Sequence, residues 1–191
     1  MKTYELNLFG VKRELPFIDL EGDMAFASFV IMGDTELIAA CAPELADRIG
    51  DVDVIITAEA KGIALAYEIS RILGKREFIV ARKSVKSYMS GVVSVPVHSI
   101  TTSGEQHLYL DGHDAEKICG RRVCIVDDVI STGESLGALE ALVRRAGGIV
   151  TRKAAVLAEG DAAGRKDIIF LQKLPLFRRD GNGGYEVKEC V

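Results

Sequence analysis

Apolar and polar positions along this chain follow two periods. Val52 to Thr57 (VDVIIT) is a short β-branched run, and in Gly62 to Leu73 (GIALAYEISRIL) apolar residues recur at Leu65, Ile69 and Ile72/Leu73, the spacing of one helix face. Gly74 stops that helix, and Glu77 to Ala81 (EFIVA) reads as the next strand, which completes a strand-helix-strand unit with a parallel pair. The pattern returns downstream. Arg122 to Val126 (RVCIV) reads as a strand, Ser135 to Ala146 as a helix with Leu136, Leu139, Leu142/Val143 and Ala146 on one stripe, and Ile149 to Leu157 as a strand after the Gly147-Gly148 stop. This alternation predicts an α/β fold, an open, mainly parallel sheet flanked by helices on both faces.

Three stretches depart from it. From Lys83 to Asp111 the chain is first small and polar and then alternates through VVSVPVHSITTSGEQHLYL, which predicts a mobile loop followed by an antiparallel hairpin turning at Ser103-Gly104. Residues before Gly50 contain a strand region, Leu6 to Phe17, and a helical one, Thr35 to Ile49, which Pro43 should kink or split. Near the end, Gly181-Asn182-Gly183-Gly184 is a turn cluster with no helix after it, so it is no dinucleotide fingerprint. At 191 residues, against the usual ~150 per domain, the chain reads as a single domain spanning 1–191.

Composition changes the picture mainly by exclusion. A hydrophobic share of 48% and a charged share of 27% fit a globular chain and argue against disorder or a disulfide scaffold. With 24 Lys+Arg against 28 Asp+Glu the net charge is −4, so no global basic field is available to hold a nucleic-acid backbone. No apolar run is long enough for a membrane span, and no export signal opens the chain. Cys41, Cys119, Cys124 and Cys190 form no CxxC pair and read as reduced thiols, Cys124 as a small buried hydrophobe. The expectation is a cytoplasmic protein with no nucleic-acid or membrane partner.

The stretch that carries chemistry is Ile125 to Ser135, IVDDVISTGES. Apolar residues run into two adjacent carboxylates, then into hydroxyls and a glycine at the head of an amphipathic helix. A helix N-terminus preceded by Ser131, Thr132 and Gly133 offers unpaired N–H groups, hydroxyl donors and the positive end of the helix dipole, a set that binds phosphate. Asp127 and Asp128 would stand at the carboxyl end of a parallel strand, where open α/β sheets hold ligands, and acceptor-only carboxylates suit sugar hydroxyls. A lone DD after a strand is otherwise a solvated turn or cap. The pattern GxxxxGK[ST] is absent, so this is not a Walker-type loop.

IVDDVISTGES resembles the phosphoribosyl pyrophosphate (PRPP) signature of type I phosphoribosyltransferases, with Ser135 in place of the usual final threonine and Glu134 in a variable slot. TAEAKGIALAYEISRILG (Thr57 to Gly74) is similar to the family's pyrophosphate loop and following helix, FIVARK (Phe78 to Lys83) to the strand leading into its flexible loop, and AVLAEG (Ala155 to Gly160) to a strand end beside the base. The resemblance implies that fold, with a small hood from 1–50 and 158–191 and an antiparallel hairpin. It also implies displacement of pyrophosphate from C1 of PRPP by a purine nitrogen, with Mg2+ carried mainly by PRPP and no direct metal ligands, in a homodimer.

The same resemblance assigns roles. Asp127, Asp128, Arg82 and Lys83 form the catalytic set. Ser131, Thr132, Gly133, Glu134 and Ser135 hold the 5′-phosphate, and Glu59, Ala60, Lys61, Gly62 and Lys86 the pyrophosphate, with the Ser84 to Val93 loop closing over it. Val30, Ile31, Met32, Val129 and Glu159 face the base. Glu134 puts a negative charge beside the phosphate loop.

For the base, Ser131 stands where hypoxanthine-guanine enzymes commonly have aspartate, and Glu159 where xanthine enzymes place a lysine. A carboxylate accepts from an amino group and repels an oxopurine carbonyl, so the expected acceptor is adenine and the expected product AMP. The YxLEYG segment of adenine enzymes is absent, which leaves the proton acceptor unassigned. The alternatives are a xanthine or other 6-oxopurine enzyme, and a non-catalytic PRPP-sensing regulator, which the AEG at Ala158 to Gly160 echoes but which needs a DNA-binding module.

Overall fold

A computed structural model describes residues 2–97, 106–180 and 183–188. In chain order its elements are β1 (Thr3–Leu8), β2 (Val11–Asp19), β3 (Met24–Ala27), α1 (Thr35–Ile49), β4 (Val54–Ala58), α2 (Ile63–Ile72), β5 (Ile79–Ala81), β6 (Val93–Val97), β7 (Gln106–Leu110), α3 (Gly112–Ile118), β8 (Arg122–Ile130), α4 (Glu134–Arg145), β9 (Ile149–Glu159), a 3₁₀ turn (Gly160–Gly164), β10 (Ile169–Leu174), β11 (Leu176–Arg179) and β12 (Tyr185–Val187).

Five strands form a parallel sheet in the order β10-β9-β8-β4-β5, with Ile55 opposite Cys124 and Asp127 opposite Ala155. The middle strand shows why the sheet is covered on both faces. Val123 to Val126 are all buried, and their side chains alternate. Cys124 and Val126 join Leu65 and Ile69 of α2 and the apolar face of α1, while Val123 and Ile125 join Ile118 of α3 and Leu139, Leu142 and Val143 of α4.

The two central strands run further than the apolar pattern indicates. β8 continues past Val126 to Ile130 and β9 past Leu157 to Glu159, because Val129 pairs with Leu157 and Ile130 with Ala158. Asp127 and Asp128 therefore lie within the end of the strand. α1 is one helix: Pro43 does not split it. Proline withholds the amide that would bond Ala39, but both residues are exposed, so solvent reaches that carbonyl, and Leu37, Cys41, Leu45 and Ile49 bury the opposite face.

A second five-stranded sheet, β1-β2-β3-β11-β12, is antiparallel and joins both ends of the described chain. The Phe17 ring stacks on Tyr185 with centroids 4.1 Å apart and meets Phe177 edge-on at 4.8 Å. Its apolar face shares a core with α1. The Arg13 guanidinium on β2 spans both oxygens of Asp34 at 2.7 and 2.8 Å, and the same carboxylate caps α1 by accepting from Leu37 N. α1 itself lies against α2, β9 and β10. β6 and β7 pair antiparallel from Val93–Leu110 to Val97–Gln106, and the turn expected at Ser103-Gly104 lies outside the described residues.

Two glycines test the packing in opposite directions. A Cβ on Gly148 would press on Ile118 Cγ2 and sit 2.9 Å from Val143 Cγ1, whereas one on Gly137, inside α4, meets nothing within 4 Å. Gly148→Ala should lower stability by about 1–3 kcal/mol through overpacking. Gly137→Ala should raise it by about 0.5–1 kcal/mol through helix propensity. Urea unfolding of both variants checks the pair; equal midpoints would contradict the packing described.

Candidate functional site

The carboxyl ends of β4, β5, β8 and β9 open on one side of the parallel sheet, and the expected site residues gather there. At the end of β8 successive side chains point to opposite faces. Asp127 is partly exposed and lines a pocket of about 120 Å³ with Val129, Ile130 and Ser131 to Leu136. Asp128 is 3% exposed, its Oδ2 has no hydrogen-bond donor among the described residues, and Lys61 Nζ lies 3.7 Å from it. The Asp128 amide donates to Asp127 Oδ1 at 2.9 Å. Burial raises the pKa of both carboxyls. For Asp127 the neighbouring charge of Asp128 adds to the rise, and for Asp128 the Lys61 ammonium opposes it.

The phosphate-type loop follows directly. Gly133 takes a left-handed conformation at φ 84° as the N-cap of α4, which starts at Glu134. Ser131 and Thr132 are exposed, and the Gly137 amide closes the first turn on the Gly133 carbonyl at 2.8 Å. The Glu134 amide makes only a long 3.5 Å bond to Thr132 Oγ1, and the first turn of the helix, whose leading N–H groups lack intrahelical acceptors, lines the pocket. Gly133 is the residue this turn requires, because a side chain there would be strained and would press on Arg165.

The loop from Glu59 to Gly62 joins β4 to α2 and contains a cis Glu59–Ala60 peptide. A Cβ on Gly62 would press on Thr57 Oγ1 and lie 3.4 Å from the Asp127 Cα, so glycine lets this loop settle against the end of β8. That contact places Lys61 beside Asp128. The Glu59 carboxylate accepts from Arg82 Nε at 3.2 Å and from the Lys83 amide at 3.0 Å. These bonds, that of the amide first, hold its pKa below the usual carboxylate range. Glu59 orients the cations, and Arg82 carries a second bond from Nη1 to the Tyr88 hydroxyl at 2.9 Å. The backbone of Arg82 also pairs with Tyr109 of β7. Lys83 is exposed, and Lys86 donates to Ser84 Oγ at 2.6 Å within the following loop.

The base-facing residues divide. Glu159, last in β9, is partly buried. Burial raises its pKa, while a hydrogen bond from Ser131 and the charge of Lys61 oppose that rise. Val129 lines the same pocket as Asp127. Val30 and Met32 are 51% and 54% exposed and available to a ligand, but Ile31 between them is fully buried and belongs to the core. Tyr109 and Arg165 enter the site region without any signal in the sequence pattern, since each arrives from another element through tertiary contact, whereas Tyr88 belongs to the Ser84 to Val93 loop itself.

Comparison with known proteins agrees with this geometry. The model of the phosphoribosyl transferase domain family matches residues 35–175. The chain is 38% identical over 159 residues to a hypoxanthine/guanine phosphoribosyltransferase of Methanocella arvoryzae, covering 81% of this chain and 76% of that one. It is 40% identical over 111 residues to the hypoxanthine/guanine phosphoribosyltransferase of Methanococcus voltae, covering 58% of this chain and 55%, little more than half, of that relative's length. The crystal structure of adenine phosphoribosyltransferase from Thermoanaerobacter pseudethanolicus superposes with a TM-score of 0.64 at 25% identity, covering 91% of this chain and 96% of that one. The family match spans both strand-helix-strand units, the Glu59–Gly62 loop and the Asp127–Ser135 segment, and on that ground the chain belongs to the phosphoribosyl transferase domain family.

Proposed function

We propose that this chain transfers ribose 5-phosphate from PRPP to adenine, giving AMP and pyrophosphate. The observation that carries the reading is one pocket in which the Asp127 carboxylate and the N-terminus of α4 lie together, with Lys61 and Arg82 brought alongside by the neighbouring loops. A 5′-phosphate seated on the Ser131–Ser135 amides puts the ribose hydroxyls toward Asp127. Lys61, Arg82, Lys83 and Lys86 face the leaving group. The bond from the purine nitrogen to C1 forms as the bond from C1 to the pyrophosphate oxygen breaks, pyrophosphate keeps the electron pair, and the nitrogen's proton passes to solvent. Positioning and charge neutralisation supply the catalysis, and the loop after β5 excludes water when it closes.

Magnesium fits these residues as a companion of the substrate. Among the described residues no three His, Cys, Asp or Glu side chains gather as a metal cluster. The protein offers instead the partly exposed Asp127 carboxylate, while Asp128 is buried beside Lys61. Such a sparse set suits an ion that takes most of its ligands from phosphate oxygens and water. When bound, the ion supplies neutralisation of the pyrophosphate. No helix among the described residues is long and apolar enough to cross a membrane, and a second copy of the chain is the partner proposed for it.

Glu159 supports adenine, since an ionised carboxylate accepts from the exocyclic amino group. A second reading, a 6-oxopurine acceptor, is favoured by the names of the sequence relatives. The raised pKa of Glu159 distinguishes them. Deprotonated, the group accepts from adenine; protonated, it donates to a carbonyl, so the adenine-to-hypoxanthine ratio of kcat/KM should climb as pH rises through its pKa. Glu159→Gln should cut discrimination by about 1–3 kcal/mol. Steady-state kinetics with PRPP, magnesium and adenine, hypoxanthine, guanine or xanthine tests both points. A wild-type preference for an oxopurine replaces adenine by the second reading, and an unchanged ratio in Glu159→Gln removes Glu159 from the choice.

The Asp127 carboxyl also makes the unliganded protein sensitive to pH. Its folded pKa is raised above the unfolded value, so across that interval the folded state binds more protons and stability falls as pH rises. Asp127→Asn removes this slope. Relative to wild type it should gain about 1–2 kcal/mol at pH 8 over pH 5, seen as about 2–8 °C in melting temperature. PRPP at a hundredfold excess over its Kd should protect wild type by ~2.7 kcal/mol, and most of that protection should vanish in Asp127→Asn/Asp128→Asn. Parallel pH profiles, or undiminished protection in the double variant, would contradict the assignment.

A further inference from the structure

The phosphate-type loop has a charge imbalance. Glu134 opens α4 and pairs with no cation among the described residues, and Asp127 shares the same pocket. A phosphate dianion seated there would meet two carboxylates, while Asp127 to Ser135 contain no lysine or arginine. Backbone amides and the helix dipole supply only partial charges. Any full positive charge that offsets these carboxylates comes from another element.

Arg165, just after the 3₁₀ turn, brings one. Its Nε and Nη2 donate to the two oxygens of Asp167 at 2.9 and 2.8 Å, which leaves Nη1 without an acceptor among the described residues. Nη1 lies 2.9 Å from the position a Cβ on Gly133 would take, so the free end of the fork rests against the left-handed glycine of the loop. Asp167 is itself fixed by Lys153, whose ammonium also donates to Glu140 Oε1 of α4 at 2.9 Å. Lys153 and Glu140 are each only 15% exposed, and Arg144 closes the chain on Glu140 Oε2 at 2.8 Å. Exposed ion pairs contribute little to stability. What this chain accomplishes is geometric: two nitrogens of Arg165 are clamped and the third is presented at Gly133.

We infer that Arg165 is a phosphate-binding residue of the PRPP site, with Nη1 donating to the 5′-phosphate held on Ser131–Ser135 and its charge offsetting Glu134. The inference rests on the PRPP reading above. Ribose 5-phosphate and magnesium pyrophosphate probe the two ends of the site separately, by calorimetric titration. Arg165→Met should weaken ribose 5-phosphate about 10- to 100-fold, the range for a lost charge-assisted hydrogen bond. Pyrophosphate binding should change less than about twofold, KM for PRPP should rise with kcat nearly constant, and Arg165→Lys should restore part of the loss.

Asp167→Asn, which keeps the cation but loosens its clamp, should cost about 3- to 10-fold in ribose 5-phosphate affinity, and it decides the matter if Arg165→Met does not fold. Unchanged ribose 5-phosphate affinity in the folded variants, or an equal loss for both ligands, overturns the role of Arg165. Wild-type protein that binds neither ligand overturns the PRPP reading along with it.

Discussion

Two neighbouring carboxylates at the end of a strand buried on both faces set the terms for everything around them. Asp127 and Asp128 cannot both carry charge cheaply in such a place, and burial drives both pKa values upward. The strand's alternation turns this into two separate requirements. Asp128, nearly inaccessible, needs the Lys61 ammonium, and the loop carrying Lys61 reaches it only because β4 lies next to β8 and Gly62 has no side chain to hold the loop away. Asp127 faces the pocket and the start of α4.

The cations are organised on the same principle. Glu59 holds Arg82 and the Lys83 amide at the end of β5, and Tyr88 and Tyr109 hold Arg82 from the following loop and hairpin. Positive charge is therefore held in place by the protein itself, and little side-chain ordering remains to oppose binding of an anion. The Asp167–Lys153–Glu140 chain treats Arg165 likewise on the far side of the loop. Carboxylates that pull guanidinium groups into place are as much a part of this site as the groups that would touch a ligand.

Most of the parallel sheet was legible in the sequence because its signals are local. The β-branched runs of β4 and β8, the stripes of α2 and α4 and the glycine stops are each contained in one short window. Asp127, Asp128 and Ser131 to Ser135 were legible for the same reason, as one unbroken segment. The full strand lengths were not: the apolar runs stop at Val126 and Leu157, and only the pairing of Val129 with Leu157 and Ile130 with Ala158 carries β8 and β9 further. Pro43 looked like a helix breaker because its window does not reveal that it lies on the solvent face. Ile31 could not be told from Val30 and Met32, and Glu59 could not be recognised as the partner of Arg82, because both distinctions depend on contacts between distant segments. Arg165 lay wholly outside the pattern: its place is defined by Asp167 and Gly133 together.

The central claim is that the paired carboxylates and the head of α4 form one site for a phosphorylated ribose. A crystal structure of the protein with ribose 5-phosphate tests it most directly. The account predicts phosphate density on the backbone amides of Ser131 to Ser135, with ribose hydroxyls within hydrogen-bond distance of Asp127. A phosphate bound elsewhere, or a ribose turned away from Asp127, would contradict it.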